Sequence, residues 1–367
     1  MVFWCWGVWS GRLAARSIHP NTKIPTPIQN NMNILVTGGA GFIGSHTAVS
    51  LTEAGFNPIV VDDFSNSEPS VLAGLKKILG HDIPCHVLDC NNYTAMRQIL
   101  REEKIIGVIH FAALKAVGES MQEPLAYYKN NLGSMITLLD AMLAEDVSNL
   151  IFSSSCTVYG EPDTSPVTEE TPIKPATSVY GNTKQVGEEI LRDVAAAKPL
   201  KILSLRYFNP IGAHPSAHIG ELPRGIPSNL VPFVTQTAAG LRESLTIFGD
   251  DYPTPDGTCI RDFIHVMDLA EAHVAALKYS LGKTDSNFYD TFNLGTGQGN
   301  TVLELVKTFE KVSGQPLPYS IGARRAGDVI AVWADVQKSR EQLGWQTKRS
   351  LQEALEDAWR WQLRLVG

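Results

Sequence analysis

Residues 33–44 read NILVTGGAGFIG, an apolar run that passes directly into a cluster of glycines. The run over 33–37 predicts a buried strand, and residues 42–54 predict a helix immediately after the glycines. Side-chain-free positions in such a turn let the backbone approach a pyrophosphate at the positive end of the helix. Asp62 ends the next predicted strand, 18 residues after Gly44, where a carboxylate can accept hydrogen bonds from a ribose 2′-OH.

Together these features predict a dinucleotide site. NAD is favoured over NADP because the Asp62 carboxylate would repel a 2′-phosphate. Each feature has a plainer alternative: a glycine turn can be purely structural, and Asp62 can be a loop carboxylate like its neighbour Asp63. The sequence has no GxxxxGK[ST] motif, which excludes a P-loop nucleotidase.

The rest of the chain continues the same alternation of strands and helices. β-branched runs predict further strands at 57–62, 83–88, 105–110, 150–154 and 200–206. This pattern predicts an α/β fold with a doubly wound parallel sheet of the Rossmann type. After residue 206 the chain becomes rich in Pro, Gly and Asn. We therefore expect an NAD-binding domain over 32–206, to which about 262–293 returns, and a smaller C-terminal α/β substrate lobe over 207–261 and 294–367.

Composition excludes several classes of protein. The 367 residues are 44% hydrophobic and 19% charged, which is enough to bury a large core. The formal net charge of −7 argues against nucleic acid as a partner. The apolar runs are too short to span a bilayer, so no membrane association is predicted. Five cysteines without a Cys-x-x-Cys pair fit a reducing compartment, and we expect a cytoplasmic protein.

Residues 1–31 differ from the remainder. They contain Arg12, Arg16 and Lys23 but no acidic residue, a formal +3 that leaves −10 for residues 32–367. An Arg-bearing, acid-poor leader is typical of a transit peptide. A non-structural extension, or a start codon upstream of a working Met32, explains it equally well. In either case we expect the fold to begin at Met32.

A second constellation predicts proton chemistry. Tyr180 and Lys184 lie four residues apart in SVYGNTKQVGEEI, a stretch with helical periodicity, so they share one face. A nearby ammonium favours the phenolate and should lower the tyrosine pKa from about 10, which makes Tyr180 a usable general base. The strand that ends near Ser155 would supply a hydroxyl to the same substrate oxygen. Such pairs are common by chance, but this one follows a dinucleotide turn.

The chain resembles a known family in eight places. These are the Tyr180–Lys184 pair and the segments TGGAGFIGSH, HFAALKAVGES, FSSSCTVYG, RYFNPIGAHPS, IFGDDYPTPDGTCIRDFIHVMDLA, NLGTGQGNT and RRAGD. Together they are similar to the extended short-chain dehydrogenase/reductase family, in its UDP-hexose 4-epimerase branch, over essentially residues 32–367. The resemblance implies an NAD-dependent isomerase. It would interconvert UDP-galactose and UDP-glucose through a transient 4-keto sugar, with NAD held as a resident cofactor.

The resemblance also implies which residues form the site. Ser155, Tyr180 and Lys184 match the catalytic positions. The positions that hold NAD match Gly38, Gly41, Phe42, Ile43, Gly44, Asp62, Asn66, Asp89, Phe111, Lys115, Asn130, Tyr180, Lys184 and Tyr207. The positions around the UDP-sugar match Lys115, Ser155, Tyr207, Asn209, Asn229, Leu230, Phe248, Arg261, Arg325 and Asp328.

Some of these positions have an alternative reading. Arg261 and Arg325 suit phosphate oxygens, but they could instead be surface arginines paired with Asp262 or Asp328. No metal site is predicted: Pro215 places His214 and His218 in a loop, and no third ligand is apparent.

Val332 matches a position that carries either a bulky ring or a small side chain in the family. The resemblance implies that a small residue there leaves room for an N-acetyl group, so we expect turnover of UDP-GlcNAc and UDP-GalNAc as well. An apolar face shared by helices near 92–102 and 122–145 would fit the family's homodimer.

Three rival functions remain. A sugar-nucleotide 4,6-dehydratase is disfavoured because Cys156-Thr157 stands where those enzymes carry Asp-Glu. A net oxidoreductase would exchange NADH with solution. A non-catalytic NAD sensor would need the glycine turn but not Ser155, Tyr180 and Lys184.

Overall fold

The computed structural model describes residues 32–325 and 328–367. The predicted leader, residues 1–31, lies outside the described residues. The strands are β1 Asn33–Thr37, β2 Asn57–Asp62, β3 Cys85–Val87, β4 Ile105–His110, β5 Asn149–Ser153, β6 Lys201–Tyr207, β7 Asn209–Ile211, β8 Leu245–Phe248, β9 Ile260–Arg261, β10 Phe263–His265, β11 Phe288–Leu294, β12 Asn300–Thr301, β13 Tyr319–Gly322 and β14 Ala331–Val332.

The helices alternate with these strands. They are α1 Phe42–Glu53, α2 Ser70–Leu79, α3 Tyr93–Glu102, α4 Val117–Gln122, α5 Pro124–Ala144, α6 Val179–Ala197, α7 Leu230–Ala238, α8 Val266–Leu281, α9 Val302–Ser313, α10 Gln337–Leu343 and α11 Leu351–Val366. A short 3₁₀ helix covers Cys156–Tyr159. Within the described ranges, no helix is both long and apolar enough to cross a membrane.

Seven parallel strands form the main sheet, in the order β11-β6-β5-β4-β1-β2-β3. The strand order reverses direction between β1 and β4, where Thr37 is paired with His110. In open α/β sheets, ligands bind at the carboxyl ends of the strands beside this point. The predicted Rossmann-type fold is confirmed, and its switch point lies where the glycine turn begins.

Helices cover both faces of the sheet because alternate strand residues point in opposite directions. In β1, Leu35 packs in a core with α3, α5 and α6, whereas Ile34 and Val36 pack in a second core with α1 and α8. A third core joins α7, α9 and α11 to β8, and it includes Val234, Phe309 and Leu355. Capping boxes at Thr301 and Ser350 start α9 and α11.

Most predicted strands have the observed bounds to within a residue. The strand predicted at 83–88 is shorter, since β3 covers only Cys85–Val87. Pro84 explains the shorter start, because it has no N–H to donate to the ladder; its carbonyl accepts from the Val60 N–H. β11 lies beside β6 in the main sheet. The division into a cofactor domain and a substrate lobe stays a prediction.

Candidate active site

The turn between β1 and α1 is shaped by its glycines. Gly38 has a φ of +66°, a left-handed conformation that favours glycine. A Cβ added there would lie 2.8 Å from the Ala112 nitrogen, and one added at Gly44 would lie 2.3 Å from the Gly38 oxygen. Gly41 is the N-cap of α1 and carries no side chain. The first-turn N–H groups of that helix thus have no side-chain cap, which is the arrangement of an anion-binding helix N-terminus.

Asp62 fastens this turn to the end of β2. Its Oδ2 accepts from the Ala40 N–H at 2.9 Å, and its Oδ1 accepts from the Phe64 N–H at 3.0 Å and the Ser67 hydroxyl at 2.7 Å. The carboxylate is buried, whereas Asp63 is exposed and accepts from Ser65. Asp62 is therefore a fixed carboxylate beside the glycines, and not a free loop residue.

The other predicted cofactor residues follow the carboxyl ends of neighbouring strands or lie on nearby helices. Asn66 follows β2 and is exposed, and Asp89 follows β3 with its Oδ1 accepting from Asn91. Phe111 follows β4, and its ring centroid lies 4.7 Å from that of His273 in α8. Asn130 lies on α5 and donates to Asn131 at 3.1 Å. Tyr207 ends β6, and its hydroxyl shares a hydrogen bond with that of Ser153.

Ser155, Tyr180 and Lys184 meet where β5 ends against the start of α6. Ser178 caps this helix, and its Oγ accepts from the Gly181 N–H. The Lys184 Nζ donates to the Ser153 carbonyl at 2.7 Å and lies 5.8 Å from the centroid of the Tyr180 ring. All three proposed catalytic residues are buried. Tyr180 and Lys184 therefore share one face of α6, as predicted, and that face lies next to Ser155.

The protonation of this pair differs from the expectation. Burial, and then the phenol of Tyr207, raise the pKa of Tyr180 well above its usual range, while the Ser155 hydroxyl opposes them. Burial lowers the pKa of Lys184 to about 8, and Glu188 acts in the opposite direction. The expected lowering of the Tyr180 pKa is therefore wrong for the protein alone, because burial disfavours the charged phenolate.

The predicted substrate residues of the C-terminal half lie on short strands and helices or in the loops next to them. Arg261 is the last residue of β9, and its Nη2 lies 3.7 Å from the Asp328 Oδ1, while the Arg325 Nη2 lies 2.9 Å from the same oxygen. Asp262 is fully buried and accepts from the Thr296 N–H. The alternative pairing with Asp328 is thus observed. It gathers two cations around one carboxylate.

The remaining predicted substrate residues are Phe248, Asn209, Asn229 and Leu230. The Arg325 guanidinium lies 5.6 Å from the centroid of the Phe248 ring. Asn209 begins β7, and its N–H donates to the carbonyl of Asp262. Leu230 is the first residue of α7 and Asn229 is its N-cap.

Two residues that the sequence did not suggest hold the predicted ones in place. The Glu221 Oε1 accepts from Asn229 at 2.5 Å and lies 3.5 Å from the Lys115 Nζ, so it connects two predicted ligand positions. Asn131 accepts from the Leu114 N–H at 2.8 Å and donates to the Thr183 hydroxyl at 3.1 Å. A polar side chain on the buried face of a helix could have indicated Asn131. Glu221 lies between the motifs and carries no such signal.

Val332 is buried in a small apolar cluster. It packs with Val158 and Phe208, and the half-buried Cys156 lies against the same cluster. In β14, Val332 is paired with Arg261 of β9. The predicted specificity position therefore adjoins both a predicted phosphate ligand and the residue after Ser155.

A Rossmann-type sheet with a glycine turn after β1, and a buried Ser–Tyr–Lys group at the end of β5, define an extended short-chain dehydrogenase/reductase. A family profile described as GDP-mannose 4,6 dehydratase matches residues 35–358. The chain is 52% identical to the UDP-glucose 4-epimerase of Bacillus subtilis (strain 168) over 332 residues, which cover 90% of this chain and 97% of that protein. The chain therefore belongs to the UDP-glucose 4-epimerase family, within the wider group that the profile describes.

Solved structures agree with this assignment. The UDP-glucose-4-epimerase of Stenotrophomonas maltophila, with bound NAD and formylated UDP-arabinopyranose, is 46% identical with a TM-score of 0.89 and covers 91% of this chain and 99% of its own. The UDP-Glc/GlcNAc 4-epimerase of Campylobacter jejuni is 38% identical with a TM-score of 0.78, and covers 90% and 99%.

Proposed function

We propose that this chain interconverts UDP-galactose and UDP-glucose by inverting the configuration at C4 of the sugar, with NAD as a resident cofactor. The observation that carries the proposal is the meeting of Ser155, Tyr180 and Lys184 at the carboxyl end of β5, in the same sheet as the glycine turn. Relatives named as UDP-glucose 4-epimerases support the choice of substrate. A sensor would have no use for the buried Tyr180–Lys184 pair.

The residues present fit NAD. Gly38, Gly41 and Gly44 would admit its pyrophosphate to the N-terminus of α1, with the Phe42 and Ile43 N–H groups in the same turn, and Asp62 would accept from a ribose hydroxyl. Asn66, Asp89, Phe111, Lys115 and Asn130 would complete the site. Bound NAD supplies an acceptor, and then a donor, for the hydride that leaves and returns to C4.

The chain's own side chains handle the proton. Tyr180 takes the proton of the 4-hydroxyl as C4 is oxidised, and returns it once the transient 4-keto sugar is reduced from the opposite face. Lys184 favours the phenolate by its positive charge, and Ser155 shares a hydrogen bond with the same oxygen. Because the oxidation is undone, the sugar leaves with no net change in redox state.

The UDP group would be held by the C-terminal half. A chain of net charge −7 must supply positive charge locally for a diphosphate. Arg261 and Arg325 gather around Asp328, and Lys115 lies near Glu221. Their guanidinium and ammonium groups would bind the phosphate oxygens, with the half-exposed Phe248 ring beside the base.

A second activity, on UDP-GlcNAc and UDP-GalNAc, is supported by Val332. Its side chain is small, and it adjoins Cys156 in the cluster next to Ser155. A related structure carries the name of a UDP-Glc/GlcNAc 4-epimerase. We include these sugars among the proposed substrates.

We also propose a cytoplasmic homodimer. Exposed apolar side chains lie on α4 and α5, namely Met121, Leu125 and Ile136, and Tyr93 of α3 is exposed as well. Exposed apolar side chains on helices that pack together support a protein interface. Among the described residues Cys85, Cys90, Cys156 and Cys259 are free thiols, which supports a reducing compartment.

Turnover without added cofactor tests the main proposal. We expect the purified protein to convert UDP-galactose to UDP-glucose with no NAD supplied, as measured by anion-exchange chromatography. Tyr180→Phe should reduce kcat by roughly 10²–10⁴-fold, the range for loss of a general acid–base group. Tyr319→Phe, which removes a phenol hydroxyl in β13, is the control.

Each rival function gives a different result. A 4-keto-6-deoxy product would indicate a dehydratase, and stoichiometric NADH release would indicate a net oxidoreductase. Absence of UDP-glucose, or normal turnover by Tyr180→Phe, would contradict the proposal.

A further inference from the structure

A third residue follows Tyr180 and Lys184 along the buried face of α6. Glu188 comes one turn after Lys184, so the three side chains form a stripe at intervals of four residues. Its carboxylate accepts from the Arg206 Nε at 3.0 Å and Nη2 at 2.6 Å. It also accepts from the Ser154 hydroxyl at 2.5 Å. No step of the reaction above uses Glu188.

Arg206 extends this contact from β6 to the 3₁₀ helix and to β11. It lies in β6 directly before Tyr207, and its Nη1 donates to the Tyr159 hydroxyl at 3.1 Å. The Tyr159 hydroxyl donates in turn to Asn293 of β11 at 2.6 Å. The side chains of Glu188 and Arg206 are each only 6% exposed. Desolvation of such a pair offsets much of its Coulomb attraction, so stability alone is a weak reason for it.

The network reaches the proposed reacting groups through one turn of backbone. Ser154, which Glu188 holds, lies between Ser153 and Ser155. The Ser153 carbonyl accepts from the Lys184 ammonium, and Ser155 carries the hydroxyl next to Tyr180. Displacing Ser154 would move both groups relative to Tyr180 and Lys184. Even a displacement of about 1 Å of the groups that position a substrate can reduce the reaction rate about 100-fold.

We infer that Glu188, paired with Arg206, is a positioning residue that fixes the Ser153–Ser155 turn beneath Tyr180 and Lys184. The inference rests on the proposed function, because it takes those residues as the reacting groups. It assigns to the buried ion pair a task in catalysis beyond its contribution to folding.

The same carboxylate favours the charged form of Lys184. Burial lowers the pKa of Lys184, and Glu188 raises it. The other ionisable groups around Lys184 and Glu188 are Tyr180 of α6, His110 of β4, Arg206 and Tyr207 of β6, Tyr159 of the 3₁₀ helix, Tyr289 of β11, and Glu169, which faces Arg206 from the loop before α6. Burial, and then Lys184, lower the pKa of His110 to about 3, so that ring is neutral near pH 7. Loss of the Glu188 charge should therefore lower the pKa of Lys184 further.

Glu188→Gln tests the inference in the holoenzyme. Lys184 would lose its ammonium form at lower pH, so the alkaline limb of the kcat–pH profile should move down by roughly one unit. The acidic limb should stay in place, and kcat at its optimum should fall about 10-fold or more. Glu189→Gln makes the same charge change at the exposed neighbouring residue and should leave kcat and both limbs unchanged.

Ser154→Ala separates position from charge. It keeps the Glu188–Arg206 pair but removes the hydrogen bond to the turn. We expect a lower kcat with an unchanged KM and an alkaline limb at the wild-type pH. Wild-type kcat in Ser154→Ala, or a folded Glu188→Gln with wild-type kcat and limbs, would overturn the inference.

A readout that does not need turnover keeps this test separate from the proposed function. The ¹³Cε resonance of Lys184, assigned by its loss in Lys184→Met, should titrate at lower pH in Glu188→Gln than in wild type or Glu189→Gln. A wild-type protein without epimerase activity would contradict the proposed function, while this titration would still decide the effect of Glu188. If the unpaired Arg206 prevents folding, the double variant Glu188→Gln/Arg206→Met removes both charges. Wild-type kcat in that variant would overturn the inference.

Discussion

The side chain at position 332 decides which sugars the proposed site admits. Val332 lies next to Arg261 in the sheet and packs near Cys156, so added volume there would reduce the space beside the sugar. We expect the wild-type protein to interconvert UDP-GlcNAc and UDP-GalNAc as well as the unsubstituted pair. Val332→Tyr should lower kcat/KM for the acetylated pair by about 10-fold or more, because one lost apolar fit costs 1–3 kcal/mol.

Turnover of UDP-galactose by the same variant is the control for this prediction. A misfolded Val332→Tyr would lose both activities, whereas a specificity change removes only one. Absence of the acetylated activity in the wild-type protein would contradict the assignment of Val332.

Residue identities alone predicted part of this site. The spacing of Tyr180 and Lys184 predicted a shared helix face, and the structure places both against the strand that leads to Ser155. Their protonation could not be predicted, because it depends on how completely the fold buries them. Glu188 and Arg206 could not be paired from sequence either. They belong to α6 and β6, and the sequence does not show which strand packs against α6.

At the scale of elements, long regular segments were predictable and short ones were not. The strands over 57–62 and 105–110 have the predicted bounds, because each is a short apolar run with clear flanking residues. β9 and β14 have two residues each, too few to show any periodicity. These two short strands nevertheless place Arg261 and Val332 side by side. Their pairing arises from contacts between distant parts of the chain.

The close packing of Gly44 against the turn before α1 predicts that a single added methyl group destabilises the protein. In Gly44→Ala the new Cβ would lie 2.3 Å from the Gly38 oxygen, so the turn must shift away from the helix N-terminus. We expect the free energy of unfolding to fall by about 1–3 kcal/mol, as for other overpacked sites. The purified variant should also contain little NAD, measured by chromatography after denaturation.

Gly118→Ala is the matched control for this change. Gly118 lies in α4, and a Cβ there meets no heavy atom within 4 Å. Alanine in a helix is favoured over glycine by roughly 0.5–1 kcal/mol, so stability should hold or rise slightly. Wild-type stability and NAD content in Gly44→Ala would show that the close approach has no role.

The whole molecule is acidic, yet both ligands it is proposed to bind are anions. Positively charged and N–H groups gathered at particular points of the fold allow this. The helix terminus after Gly41 offers N–H groups, and Arg261 and Arg325 converge on one carboxylate. Net charge argues only against nucleic acid as a class of partner, and it carries no information on such local sites. Their positions depend on which strand ends the topology brings together.

The proposed homodimer depends on an exposed apolar surface of α5. Leu125 and Ile136 of α5 are 69% and 44% exposed, and their separation of eleven residues, about three turns, places them on one face. A second copy would remove this surface from water. We expect the wild-type protein to have twice the monomer mass by light scattering. Ile136→Glu should shift it toward the monomer, because burial of an unpaired carboxylate at an interface is unfavourable.

Ile173→Glu is the control. It makes the same change at an isoleucine that is 50% exposed in the loop before α6, and it should remain dimeric. A dimeric Ile136→Glu protein, or a monomeric wild type, would show that the α5 face is not the interface.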